Sequence, residues 1–479
     1  MRNLTLLTDL YEMTMMDGYL QCGSEQNIGV FDIFYRQSKG LHRAVACGLE
    51  QAIDWVKNIH FTEDDIKYLR DLHVFSDAFI EKLKNFKFTG DIYAVPEGTI
   101  VFPYEPILTV KAPMFEAQFL ETALLNIINH QTLIATKART IVDSAYGAAI
   151  SEFGLRRAQG PDAGIYGTRA TYVGGCGSTS NVLAGQMFNI PVKGTIAHSW
   201  VMSFSDELTA FREYARQNPD GCLLLVDTYD TLKQGVPNAI KVFDELKANG
   251  HTPVGIRIDS GDLAYLSKEA RKMLDKAGHT EAKIFASGDI DENILESLHI
   301  QGAKIDIYGI GTRMITSYDN PSLGGVYKLA AIEEDGKLVP KMKISNTSAK
   351  ITNPGLKKTV RIYDENGMAR ADLICLKDEK FDTSKPLTIY DQEDRWKETT
   401  FTNYTVKELM VDIVKDGKIV YDFPTLQEVG KYADKCINEF YPEYRRLMYP
   451  HYYKVDLSDK LYALKHKIIE ESLKKSLKK

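Results

Sequence analysis

Cysteine is scarce in this chain: there are six in 479 residues, at positions 22, 47, 176, 222, 375 and 436, with no close pair and no Cys-x-x-Cys spacing. So few cysteines in so long a chain exclude a disulfide scaffold and point to a reducing, cytoplasmic setting. Long apolar runs are missing as well. None approaches the roughly 20 residues that cross a bilayer, so no membrane partner is expected. The opening MRNLTLLTDLYEMTMMDGYL meets Asp9, Glu12 and Asp17 too early for a signal peptide. Excess positive charge is also lacking. The formal net charge of −6 offers no global field for nucleic acid, so an anionic ligand must be held by local cations and helix N-termini. The ten histidines include no His-Glu-x-x-His and no close pair, which removes the usual zinc arrangements. No solenoid repeat or low-complexity stretch occurs.

What remains is a globular balance, 44% hydrophobic and 26% charged, sufficient for a large core. At roughly 150 residues per domain the length allows about three domains, or two if one is a barrel. The clearest pattern lies between residues 190 and 315. Four short apolar runs occur there: Cys222–Val226, Val254–Ile258, Lys283–Ala286 and Ile305–Ile310. Helical periodicity separates them. After the first run come Ile240, Phe243 and Leu246 behind Pro237, closed by Gly250; after the second, Leu263, Leu266, Ala270 and Leu274, closed by Gly278; after the third, Ile294, Leu295 and Leu298, closed by Gly302. Strands alternating with helices at this spacing predict a parallel sheet with right-handed crossovers. The repeat suits a doubly wound sheet or a barrel and favours the barrel.

Elsewhere the patterning is mixed. Tyr93–Val95 and Leu108–Val110 read as short strands and Glu116–Arg139 as a long helix, broken or continuous. Beyond residue 325, short strands such as Tyr327–Ala331 and Val360–Tyr363 alternate with Asp-Gly, Asn-Pro-Gly and Asn-Gly turns, and a Lys-rich amphipathic helix starts at Leu461. The expected fold is α/β: a mixed N-terminal domain over 1–135, an α/β barrel over 136–325, and a β-rich region with terminal helices over 326–479 that packs on the N-terminal domain.

Four segments could carry chemistry, and each has a plainer reading. Glu152–Arg157 precedes a glycine-rich run that contains Arg169. Arginine forks and bare backbone N–H groups hold anions, though Arg156 and its neighbours could equally be surface arginines. His198, in Gly194-Thr195-Ile196-Ala197-His198, has no charged neighbour in sequence, which also suits a hydrogen-bonded, half-buried imidazole. Arg257-Ile258-Asp259-Ser260-Gly261-Asp262 puts a cation and two carboxylates at one strand end. Asp259 and Asp262 suit Mg²⁺ with substrate phosphates, while Ser260 or Asp262 also suits a helix N-cap. Gly309-Ile310-Gly311-Thr312, after a strand, has the form of a phosphate-gripping turn. Each strand ends in such residues, Gly288 and Asp289 among them, and ligands of α/β sheets collect at that edge.

Taken together, these segments resemble the nicotinate phosphoribosyltransferase family, the type II phosphoribosyltransferases. The matching stretches run in family order through the first two-thirds of the chain: Thr8–Met15, Phe31–Arg36, Leu124–Arg139, Glu152–Arg157, Gly194–Trp200, Arg257–Asp262, Ser287–Asp291 and Tyr308–Arg313. The resemblance implies that nicotinate and phosphoribosyl pyrophosphate give nicotinate mononucleotide and pyrophosphate, with ATP as co-substrate and Mg²⁺ as cofactor. It implies an irregular α/β barrel carrying the active site beside an N-terminal α/β sandwich, and a homodimer with the active site near the subunit interface. His198 falls on the phosphorylated histidine, Tyr11, Thr195 and Arg257 on nicotinate contacts, Phe153 on an aromatic ring stacked on the pyridine, and Thr312 on a phosphoribosyl contact. In related dimers the tyrosine matching Tyr11 comes from the neighbouring subunit. His198, Arg257 and Asp259 form the expected catalytic set. Arg156, Thr179, Gly288, Asp289, Gly309 and Gly311 complete the expected substrate-binding set.

Rival readings are separable. Relatives that use nicotinamide place an Asp in the glycine-rich loop, where this chain reads Gly177-Ser178-Thr179-Ser180, with Thr179 aligned to that Asp. A hydroxyl there suits a carboxylate substrate. Quinolinate phosphoribosyltransferases use no ATP, and the histidine motif argues against them. A sugar-phosphate lyase working through a Schiff base needs a pocket lysine, which none of the four later strand ends offers. A non-catalytic binding protein gives no reason for so many charged groups along one edge.

Overall fold

A computed structural model describes residues 2–37, 40–345, 347, 350–391 and 394–477. The chain divides into two compact units, Met1–Leu133 with Ser322–Lys479, and Ile134–Pro321.

The second unit is built on six parallel strands in the order Ser178–Thr179, Ala149–Glu152, Ile307–Ile310, Lys283–Gly288, Gly255–Ile258 and Leu223–Leu225. The four later strands fall within a residue or two of the apolar runs. Helices between them form for local reasons. Leu263–Lys276 is capped by the Asp262 side chain and buries Ala264, Ser267, Ala270 and Leu274, one helical face. Glu292–Ile300 is capped by Asp291 in the same way. Val236–Ala248 carries Pro237 in its first turn, where the missing N–H costs nothing. Two further strands were not read from the sequence: Ala149–Glu152, which precedes the glycine-rich run, and Ser178–Thr179, which lies inside it. They are only four and two residues long, too short for a visible alternation. The edge strands of this sheet are bridged by an irregular segment. Thr179 exchanges backbone bonds with Pro191 and Lys193 at 3.0 and 2.9 Å, and Thr195 Oγ1 donates to the Leu223 carbonyl at 2.8 Å.

In the first unit a seven-stranded antiparallel sheet joins the two ends of the chain. Ile28–Tyr35 pairs with Leu108–Pro113 on one side and with Gly325–Glu334 on the other. Val411–Lys415 pairs with Asp91–Ala94 in the same sheet. The C-terminal β-rich segments therefore complete an N-terminal layer. A separate four-stranded sheet of Thr405–Glu408, Lys357–Tyr363, Ala369–Leu376 and Lys454–Leu457 holds a buried ion pair, with Arg361 on Asp372 at 2.6 Å. The long helix expected from Glu116 is two helices, Met114–Phe119 and Glu121–Asp143.

Candidate active site

Parallel strands place all their C-terminal ends on one rim, so the loops after each strand of the second unit share an edge. Arg257 and Asp259 leave the same strand end two residues apart, which puts both side chains on one face. Arg257 donates through Nη2 to Asp259 Oδ1 at 2.7 Å, through Nε to Ser287 Oγ at 2.8 Å, and through Nη1 to the Ile196 carbonyl at 3.4 Å. Ser287 Oγ also donates to Asp259 Oδ1. Burial alone would raise the Asp259 pKa. Ser287, Arg257 and nearby His198 outweigh it and hold the carboxyl below its usual range.

His198 opens a short helix, His198–Met202, from the segment that bridges the sheet edges. Its Nδ1 lies 3.1 Å from Thr228 Oγ1 and its Nε2 lies 3.8 Å from Asp259 Oδ2. Arg257, Asp259 and His198 are thus drawn into one cluster. The Arg257 guanidinium sits 6.0 Å from the Phe153 ring centroid, so an aromatic face stands beside the cation. Thr312 lies on the same rim, at the start of the turn Thr312–Ile315 that follows Ile307–Ile310.

Several expected contacts take another form. Gly309 accommodates a neighbour: a Cβ there would fall 2.5 Å from the Phe153 ring, and one at Gly311 would fall 2.9 Å from the Phe153 carbonyl oxygen. These glycines seat Phe153 against the strand. Thr179 is 1% exposed and spends its hydroxyl proton on Glu152 at 2.6 Å, while its oxygen accepts from the Asn181 N–H. The hydroxyl expected to meet a substrate carboxylate therefore points inward, and of the three hydroxyl residues of that loop Ser180 is the exposed one. Glu152 is fully buried and gathers Thr179, Thr168 and the Gly154 N–H. Burial raises its pKa and those donors partly offset the rise. Arg156, Asp289 and Asp262 are exposed on the rim loops, Thr195 is half-buried with its hydroxyl on Leu223, and Gly288 takes a φ of +129° with Asp259's carbonyl close by. Tyr11 belongs to the other unit, on helix Leu10–Gln21. Its ring is 45% exposed, and partial burial followed by Glu121 and Glu12 pushes its phenol upward.

The expected Mg²⁺ pair is not a ready-made cage. Asp262 Oδ1 caps its helix at 2.9 Å from the Tyr265 N–H, and Asp259 Oδ1 is committed to Arg257 and Ser287. Among the described residues no group of three or more His, Cys, Asp or Glu side chains is arranged to hold a metal. One oxygen nevertheless asks for a cation or donor. Asp227 Oδ2 accepts from the Asp259 N–H at 3.0 Å and from Ser260 Oγ at 2.6 Å, while Asp227 Oδ1 is buried with no hydrogen-bond partner. The rim therefore fits a Mg²⁺ that arrives on substrate phosphates, which needs only one or two protein carboxylates. Asp227, Thr228, Ser287, Glu152 and Ser180 were not singled out as site residues from sequence. Three of them stand at strand ends that were, so position along the strand was the available signal.

Among the described residues, no helix is long and apolar enough to cross a membrane. The buried lysine of this unit, Lys137, is paired with Glu292 at 2.6 Å and with Asp319, so its amine is not free for a Schiff base.

Comparison with known proteins agrees along the whole chain. The nicotinate phosphoribosyltransferase N-terminal domain matches residues 6–129, the nicotinate phosphoribosyltransferase family matches 148–382, and the C-terminal domain matches 356–465. A nicotinate phosphoribosyltransferase of Bacillus subtilis is 46% identical over 98% of this chain and 96% of its own. One from Caenorhabditis elegans is 35% identical over 96% and 92%. The crystal structure of human nicotinic acid phosphoribosyltransferase superposes with a TM-score of 0.85 at 30% identity, covering 96% of this chain and 99% of that one. The molecule is thus an α/β enzyme of the phosphoribosyltransferase class. Specifically, the chain belongs to the nicotinate phosphoribosyltransferase family.

Proposed function

We propose that this chain transfers the phosphoribosyl group of phosphoribosyl pyrophosphate to the ring nitrogen of nicotinate, coupled to ATP through a phosphohistidine at His198. The observation that carries this reading is the clustering of Arg257, Asp259 and His198 beside the Phe153 ring at the sheet rim. Stacked on Phe153, a pyridine would hold its carboxylate within reach of the Arg257 fork. The nitrogen already has a lone pair, so no general base is needed. The N–C bond forms at the ribose carbon as the C–O bond to pyrophosphate breaks, and the electron pair leaves with the pyrophosphate oxygen. Orientation and fixed cationic charge then supply the rate. Asp259, Asp262 and the unpartnered Asp227 oxygen are the groups that would hold Mg²⁺, which neutralises charge on departing pyrophosphate.

ATP would deliver its γ-phosphoryl group to an imidazole nitrogen of His198, releasing ADP; water later cleaves the P–N bond. A dianion there stands within a few ångströms of Asp259 and competes with it for Arg257. Phosphorylation would therefore change which partner the guanidinium holds. We also expect a homodimer in which Tyr11 serves a neighbouring subunit; Leu10, Tyr11 and Met15, 54%, 45% and 39% exposed, give the first helix a surface for it. A product assay with nicotinate, nicotinamide and phosphoribosyl pyrophosphate, with and without ATP, tests the whole reading. Nicotinate mononucleotide formed faster with ATP supports it, and preference for nicotinamide overturns the substrate assignment.

A further inference from the structure

The unit that joins the two chain ends contains a cavity of about 910 Å³. Part of its wall is one face of the terminal helix Asp459–Leu477, where Tyr462, Lys465, His466 and Ile469 recur at helical spacing. The rest of the wall comes from the segments around His42, Tyr104 and Tyr452.

The wall is aromatic and cationic. Tyr462 and His466 lie 4.0 Å apart, centroid to centroid. Phe102 stacks on Tyr453 at 4.1 Å, and Tyr444 meets Tyr453 edge-on at 5.3 Å. These contacts fix the rings before any ligand arrives. Tyr104 adds backbone strain, with φ at +70°, a conformation side chains seldom adopt outside sites that require it. Arg43 donates to the Tyr444 and Arg445 carbonyls at 2.9 and 3.3 Å, and Lys465 to Asn353 at 2.9 Å, so both cations are anchored in the wall. Three imidazoles, His42, His451 and His466, join these two cations, whereas Asp391 is the one carboxylate among the described lining residues.

We propose that this cavity binds a nucleoside phosphate of up to dinucleotide size. Ring faces accept a base and the cations accept phosphate oxygens. The volume lies near the upper end of the roughly 300–1,000 Å³ usual for ligand sites. No residue assigned above to the sheet rim lines this cavity, so the proposal does not depend on the reaction assigned there.

Titration calorimetry of the full chain with AMP and with NAD⁺ tests it, using Lys465→Glu, His466→Ala and, as a control for the substrate site, Arg257→Ala. Binding that Lys465→Glu or His466→Ala weakens by roughly tenfold or more, and that Arg257→Ala leaves unchanged, supports the site. Thermal melts identify any variant that fails to fold, and the other then decides. No binding of either nucleotide at millimolar concentration overturns the proposal, as does binding abolished by Arg257→Ala and retained in both cavity variants.

Discussion

Arg257 and Asp259 are two residues apart in sequence and 2.7 Å apart in space, because a strand returns every second side chain to the same face. The arginine is thereby oriented before substrate arrives, and its counter-ion belongs to the same strand end. Replacing it should cost more than charge. Arg257→Ala takes the guanidinium from Asp259 and Ser287, and kcat/KM for nicotinate should fall about 10²–10³-fold, the usual loss for one preorganised hydrogen-bond donor. Arg257→Lys keeps the charge without the fork and should recover only part of it. Steady-state kinetics with nicotinate varied decides; an unchanged kcat/KM in Arg257→Ala would remove this residue from the site.

Phosphoryl transfer should pass through His198. His198→Ala is expected to abolish labelling of the protein by γ-labelled ATP and to remove the ATP effect on product formation. Thr228→Val, which removes the hydroxyl 3.1 Å from Nδ1, should slow labelling without ending it. Label persisting in His198→Ala places the acceptor elsewhere.

The inward turn of Thr179 makes a paired prediction. Ser180→Asp puts a carboxylate on the exposed side of the loop, where it should raise KM for nicotinate by at least roughly tenfold through like-charge repulsion and improve the use of nicotinamide. Thr179→Asp puts it against buried Glu152 and should lower the melting temperature instead. Discrimination that changes only in Thr179→Asp would reverse the two roles.

Glu12 should make stability depend on pH. It is fully buried, with Thr8 and Thr122 donating to it, and burial raises its pKa from 4.5 to about 7. A carboxylic acid raised by folding contributes most below its unfolded pKa. That contribution is lost as pH rises from about 4.5 through about 7, and stays lost above. Glu12→Gln should flatten the decline and be more stable than the parent at pH 8, by up to about 3 kcal/mol. Urea unfolding at pH 5 and pH 8 measures it; equal slopes in both proteins would show that other groups set the pH dependence.

The sequence disclosed the parallel-sheet unit better than its margins, for physical reasons. Long helices such as Leu263–Lys276 bury a periodic face and carry Asp caps, so both their period and their ends are written locally. Ser178–Thr179 has only two residues and exists because neighbouring strands accept it, which no local pattern can signal. The rim residues, Arg257 and Asp259 among them, followed from strand ends. Thr179 was harder to read. Its direction depends on Glu152, 27 positions away in sequence, so the choice between Thr179 and Ser180 becomes visible only in three dimensions. The break at Leu120 between two helices likewise left no Gly or Pro to announce it.

The strand Ile28–Tyr35 finds one of its two neighbours in Gly325–Glu334, almost three hundred residues later. During synthesis the amino-terminal layer must therefore wait, both edges uncovered, while the ribosome delivers the whole of Ile134–Pro321, whose own sheet contains every strand it needs. The middle of the chain can close first and the beginning last. Truncation near the carboxyl terminus should accordingly harm the earliest-made segment most.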